Sequence, residues 1–238
     1  MAIDIVGFRI SSELAMFRRW YTTTTSISYP FPPPTAVAGM IGAILGIPRE
    51  QLWAAFEGRI SIIIDNPIRI IQQGVNYVDT KREAKHKNFN IRVLHHYLYQ
   101  PAYLIFYQGP WASDISTKLS QQESVYPIYL GHAYNLAEIH PIQITKTETI
   151  MKDKIDSIVA NYITDIDWNK NNQVHIETMD VRMREDYTPV KTQSLAYSFN
   201  TKNGKPLPIF LKNLNKLTKI TISMSNGERE LFLDWVEV

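Results

Sequence analysis

The sequence contains no cysteine. That absence excludes disulfides, zinc sites with cysteine ligands and iron–sulfur clusters. It fits a reducing compartment, and a cytoplasmic location is expected. A secretory leader is not visible either: Met1–Ile10 carries Asp4 and Arg9 and shows no basic start followed by an apolar run. No apolar run reaches the roughly 20 residues that cross a bilayer. The longest uncharged stretch, Trp20–Pro48, opens with threonine, serine and proline, and only Ala36–Ile47 is solidly apolar. No membrane contact is expected. An excess of one charge is also lacking, with 25 Lys and Arg against 23 Asp and Glu and a net charge of +2. A protein that grips nucleic acid over its whole surface carries more, so any RNA contact must rest on local positive charge. Acidic residues do not cluster and no His-x-x-His pattern occurs, so neither a metal nor a cofactor is expected.

What remains is ordinary globular material, with 45% hydrophobic and 20% charged residues in 238. Ile3–Ile10 reads as a strand apolar on both faces, hence central in a sheet. A helix is predicted from Thr35 to Gly46 after a run of prolines, and a shorter one from Pro48 to Phe56. Strands are predicted at Arg59–Ile64 and Ile68–Gln72, then a long hairpin over Ile91–Gln108 with Pro101 at its turn or edge. Trp111, Ile115 and Leu119 mark an amphipathic helix, and Val125–Leu130 reads as a closing strand. This β-α-β-β-α-β order predicts an α+β fold of ferredoxin-like type, the scaffold of RNA-recognition modules, over residues 1–140. An insertion is expected at about 74–100. Strand signals at Val174–Arg184, Leu195–Asn200, Ile220–Met224 and Leu231–Val238, with turn signals at Asn203-Gly204 and Asn226-Gly227, predict a small antiparallel sheet in 141–238.

On a helical wheel Ala36, Gly39, Gly42, Ala43 and Gly46 share one face, and larger residues fill the rest. Three helical glycines cost about 1 kcal/mol each against alanine, which close approach of another backbone would offset. That backbone is either another element of the same protein or a bound polyphosphate chain, and the helix start offers free N–H groups to a phosphate. The glycines make neither a Walker loop nor a KH-type clamp.

The run Tyr29–Gly46, YPFPPPTAVAGMIGAILG, resembles the proline–threonine–glycine signature of the CRISPR-associated Cas-five family in the RAMP superfamily. His96–Tyr107 is similar to that family's second strand pair, and Tyr126–Gly131 (YPIYLG) to one of its strand ends. The three stretches fall in the family's order across about Ile3–Ile139. The resemblance implies a ferredoxin-like domain with a thumb-like insertion, holding the five-prime handle of a CRISPR guide RNA at one end of a Cascade-type surveillance complex. Its partners would be the guide RNA, the backbone and large subunits and, through the complex, target DNA. The wording of the signature is nearest to type I-B systems.

Several residues are candidates for the RNA. Arg18, Arg19 and Trp20 suit phosphate pairing and base stacking, though a solvated loop accounts for them equally. Lys81, Arg82, Lys85, His86, Lys87 and Arg92 form the one local basic cluster, opposed only by Glu83. Tyr29, Thr35, Gly39 and Gly42 come from the signature, and the resemblance adds Gly131 and His132 near the RNA path. One branch of the family cleaves precursor guide RNA without metal. In that alternative Tyr29, His95 or His96, with Lys87 or Arg92 as the cation, would serve attack by a ribose 2′-hydroxyl. His95 and His96 are strand neighbours facing opposite sides, and neither has an assignable partner in the sequence, so a non-catalytic role is expected.

Overall fold

A computed structural model of the protein describes residues 5–23, 25–78, 90–224 and 227–238. β1 (Ile5–Ser11) is followed by four two-residue strands, β2 (Leu14–Ala15), β3 (Phe17–Arg18), β4 (Thr25–Ser26) and β5 (Ser28–Tyr29). Helices α1 (Pro34–Leu45) and α2 (Arg49–Ala55) come next, then β6 (Arg59–Ile64), β7 (Ile70–Val78), β8 (Asn90–Tyr99), β9 (Ala102–Gln108) and α3 (Ala112–Ser120). The rest comprises β10 (Glu138–Ile142), β11 (Ile144–Ile155), a short 3-10 turn, β12 (Val174–Met183), β13 (Pro189–Ser198), β14 (Ile209–Met224), β15 (Gly227–Leu233) and β16 (Val236–Glu237).

The fold is α+β. Its main sheet has the order β10-β1-β9-β6-β16, with every pair of neighbours antiparallel. All seven residues of β9 are buried, because both faces of the sheet are covered. Tyr103, Ile105 and Tyr107 point into the core shared with the helices, while Leu104 and Phe106 join Ile220, Ile222, Leu231 and Trp235 on the other side. Strand alternation sends successive side chains of β9 into these two cores.

Pro34 at the first turn starts α1, and Gly46 in the left-handed region (φ 77°) ends it, its N–H donating to the Gly42 carbonyl. Val37, Ile41 and Ile44 are buried against the rest of the core. The β12–β13 ribbon covers α1 further, through Met179, Val181, Leu195 and Tyr197. Phe31, just before the helix, meets the Tyr197 ring edge-on at 5.3 Å. A helix covered on two sides explains why so few of its positions are polar.

Four expectations need correction. Val125–Leu130 is not a strand; the strand that closes the main sheet beside β1 is β10. The 125–130 segment instead runs along the end of α1, where the Val125 and Tyr126 N–H groups donate to the Ile44 and Ala43 carbonyls at 3.4 and 3.0 Å. Those helix-end carbonyls have no partner inside the helix, which is what draws the segment out of the sheet. Ile91–Gln108 is not one hairpin either. β8 pairs with β7, β2 and β4, whereas β9 pairs with β1 and β6. Gln100 (φ 48°) and Pro101 mark the break between the two sheets. The strand expected at Ile68–Gln72 extends to Val78 and forms the hairpin with β8.

The C-terminal region, finally, is not one small sheet. β11, β14 and β15 form one sheet, β12 and β13 another, and β16 returns to the edge of the main sheet. That return is fixed by Asp234, 3% exposed, whose carboxylate accepts from the Ala160 and Asn161 N–H groups at 2.6 and 2.8 Å. It also accepts from the Asn161 side chain and the Trp235 N–H. Asn203-Gly204 makes a local turn (Gly204 φ 73°) whose Gly204 carbonyl accepts from the Ile68 N–H, tying the C-terminal region to the start of the β7–β8 hairpin. Met224 pairs with Gly227 across the β14–β15 turn, and Asn226 lies outside the described residues.

Candidate nucleic-acid interface

The outward face of α1 forms the floor of a groove of about 700 Å³. Thr35, Ala36, Gly39 and Ala43 of α1 line it together with Tyr126 and Tyr129 and with Trp53, Met183 and Tyr187. Arg49 lies 4.1 Å over the Tyr187 ring, and the Tyr187 hydroxyl donates to the Arg49 carbonyl at 2.7 Å. These contacts pin the tip of the β12–β13 ribbon to α2 and hold that part of the lining in place. The three glycines of the helix face do different things. Gly42 accommodates Leu52 of α2, because a Cβ there would lie 2.9 Å from the Leu52 Cδ1. Gly46 supplies the left-handed cap and lets Val125 approach. Gly39 lines the groove and is the one of the three with no neighbouring atom within 4 Å of where its Cβ would be. Of the two backbones that the glycine stripe left open, an element of the same protein answers for Gly42 and Gly46.

A second cluster lies at the base of the β7–β8 hairpin. His95, 3% exposed, has its Nε2 3.1 Å from the Tyr77 hydroxyl and its ring stacked on Tyr77 and Tyr97, each at 5.6 Å. The His132 ring, from the turn after the YPIYLG stretch, lies 6.0 Å away and stacks on Tyr134 at 5.0 Å. The Tyr97 and Tyr134 hydroxyls meet at 2.8 Å, and His132 Nε2 is 3.1 Å from the Met16 sulfur. Burial, then His132 and Arg18, lower the His95 pKa; burial, then Arg18, do the same for His132. Gly131 makes the arrangement possible. Its φ is +89°, and a Cβ there would collide with the Met16 carbonyl. His95 and His96 do face opposite sides of β8, but His95 has the partner that the sequence did not reveal.

The remaining candidates are scattered. Trp20 is 79% exposed and meets Tyr21 edge-on. Arg18 is exposed and donates to the Thr22 carbonyl. Arg19 is engaged internally: its guanidinium pairs with Glu177 and lies 5.6 Å from the Tyr29 ring centroid. Tyr29 itself is buried, because β5 pairs with β3 and turns the ring inward opposite Phe17. Its pKa is raised, chiefly by burial and then by Glu177. Thr35 and Gly39 line the groove, and Arg92 lies on the hairpin with its Nε beside Gly74. Lys81, Arg82, Lys85, His86 and Lys87 lie outside the described residues.

Sequence reasoning missed Tyr126, Tyr129, Met183 and Tyr187 as groove walls, and Tyr77, Tyr97 and Tyr134 around the histidines. The count of 13 tyrosines was a usable signal, since so many aromatic hydroxyls need either partners or an interface. Among the described residues no three His, Asp or Glu side chains come together as a metal site, and no helix is long and apolar enough to cross a membrane.

Similar folds occur in two solved assemblies. A chain of a CRISPR RNA-guided surveillance complex superposes with a TM-score of 0.56 at 11% identity, covering 87% of this chain and 90% of that one. A chain of the Type III-B Cmr-beta complex, bound to cognate target RNA and AMPPnP, gives 0.52 at 12% identity, covering 88% and 86%. At these identities the likeness is one of fold. No curated protein sequence matches the chain. The sequence model described as CRISPR-associated protein (Cas_Cas5) matches residues 5–195, and over that span the groove floor, the YPIYLG wall and the histidine pair all fall. The chain therefore belongs to the CRISPR-associated protein (Cas_Cas5) family.

Proposed function

We propose that this chain is a non-catalytic RNA-binding subunit of a CRISPR effector complex, in which it holds the five-prime handle of the guide RNA. The observation that carries the reading is convergence. Thr35–Gly46 and Tyr126–Gly131, about 80 residues apart in the chain, both contribute to the lining of one groove, the second through Tyr126 and Tyr129. A groove of glycine, alanine and tyrosine faces suits unstacked bases, whereas phosphates need charge. In this reading the β7–β8 hairpin is the thumb-like insertion, and its 79–92 stretch supplies the phosphate contacts. The strand order around β1, β6, β9 and β10, with α1 and α3 as the two crossovers, supports a ferredoxin-like module. Backbone and large subunits would then be its neighbours, and target DNA would be met only through the complex.

The test of the hairpin's share replaces Lys81, Arg82, Lys85 and Lys87 by alanine in the assembled complex. Guide retention is expected to weaken, and the salt dependence to flatten by about one slope unit for each phosphate that is no longer neutralised. Unchanged retention with an unchanged slope removes the insertion from the site.

One observation favours a second reading, metal-independent endoribonuclease: His95 has a tyrosine hydroxyl partner and a second histidine beside it. Against it stands access, because the free Nδ1 of His95 is enclosed and reaches no other group among the described residues. Cleavage of repeat RNA in EDTA that disappears in His95→Ala would establish the enzyme reading; intact RNA supports the binding one.

A further inference from the structure

The structure shows where the β7–β8 hairpin meets the body, and what holds it there is chemically unusual. β7 is exposed along nearly its whole length, so the hairpin has little buried surface of its own. Its attachment runs through β8. The β8 backbone pairs with the short strands β2 and β4, and the Tyr77–His95–Tyr97 stack faces the 131–134 turn. On the turn side stand His132 and Tyr134, with Met16 and Arg18 from the segment beneath. Two imidazoles thus face each other across the seam at 6.0 Å, and Tyr97 and Tyr134 form one hydroxyl–hydroxyl bond across it.

We infer that the His95–His132 pair is a proton-sensitive latch that holds the β7–β8 hairpin against the body when both rings are neutral and releases it when they are protonated. The groups facing the pair offer nothing to stabilise a second charge. Tyr77, Tyr97 and Tyr134 are neutral phenols, Met16 is a thioether, and among the described residues the only other charged group acting on either ring is the cation of Arg18. No carboxylate acts on either ring among the described residues. A first proton on either histidine therefore sits beside Arg18 and opposes the second, so the closed seam favours the neutral rings.

The sign follows from linkage. A histidine whose closed-state pKa is depressed stabilises the closed state fully above its ordinary value of 6.5. That stabilisation is lost as pH falls from 6.5 towards the depressed value. Within this window the ratio of closed to open hairpin falls by up to about tenfold per pH unit for each histidine. Release would free the hairpin without unfolding the main sheet, because β9 is held by β1 and β6 and not by β8.

The experiment is amide hydrogen exchange on the full chain from pH 8 to pH 5, with intrinsic rates corrected for pH. Protection of the 70–78 and 91–99 amides is expected to hold constant above pH 7 and to drop progressively from pH 6.5 to pH 5, by up to about tenfold per pH unit for each histidine, while 102–108 stays protected. In His132→Gln, at a half-buried position, the pH dependence should shrink to that of one histidine, and the histidine ring signals of wild type should titrate below 6.5. Protection that is flat with pH overturns the latch. Equal loss in 102–108 also overturns it, since that reports global acid unfolding, and so does titration of His95 or His132 at or above 6.5.

Discussion

Gly39 and Gly131 carry the same side chain for opposite reasons. Gly39 sits in regular helix with open space where a Cβ would go, so nothing inside the protein requires glycine there. Gly39→Ala should raise stability by up to about 1 kcal/mol in urea denaturation, the helix-propensity difference. Gly131 has φ +89° and abuts the Met16 carbonyl, so Gly131→Ala should cost about 1–3 kcal/mol in the same measurement. A destabilised Gly39→Ala would mean that the floor of the groove is filled in the folded protein. The sequence presented both residues as glycines in resemblance motifs and could not tell them apart. The difference lies in φ and in the Met16 backbone, 115 residues earlier, neither of which leaves a mark on local composition. Arg19 teaches the same lesson in charge. It reads as a free cation beside Arg18, yet its guanidinium is taken up by Glu177.

Among the elements, those set by local pattern were legible. The prolines before α1, the glycine after it, and the four-residue spacing of Trp111, Ile115 and Leu119 placed both main helices within a residue or two. β1 and β6 were likewise visible from apolar runs, and β12 from apolar residues interspersed with polar ones. Misreadings occurred where tertiary demand overrides local preference. YPIYLG has strand composition, but the carbonyls at the end of α1 take its N–H groups. β11 was missed because its threonines and lysines sit on a half-exposed face that looks like loop. The closing return of the chain depends on one buried carboxylate that composition cannot single out. Burial raises the Asp234 pKa while four N–H donors oppose that shift. Asp234→Ala should strand the buried N–H groups of Ala160 and Trp235 and the part-buried one of Asn161, and cost about 1–3 kcal/mol, read as a lower urea midpoint. A midpoint within error of wild type would show that water replaces the carboxylate and that the return of β16 is held by packing alone.

At the scale of the whole molecule, the proposed function asks a nearly neutral protein to hold a polyanion. Its net charge of +2 leaves little general attraction, so on that proposal recognition would combine the basic 81–92 stretch of the sequence with an apolar, aromatic groove. The family was legible from three short stretches because they hold the residues that the fold brings together. The site was legible only in part, since Met183 and Tyr187 lie outside the three short stretches that carried the resemblance. The most direct measurement is guide-RNA occupancy of the purified complex carrying Gly39→Trp, which places an indole in the groove from a position whose Cβ meets no neighbour. If the groove holds the guide, the subunit keeps its unfolding midpoint and guide occupancy falls about tenfold or more, a loss of at least about 1.4 kcal/mol. Full occupancy with the indole in the groove would contradict that role.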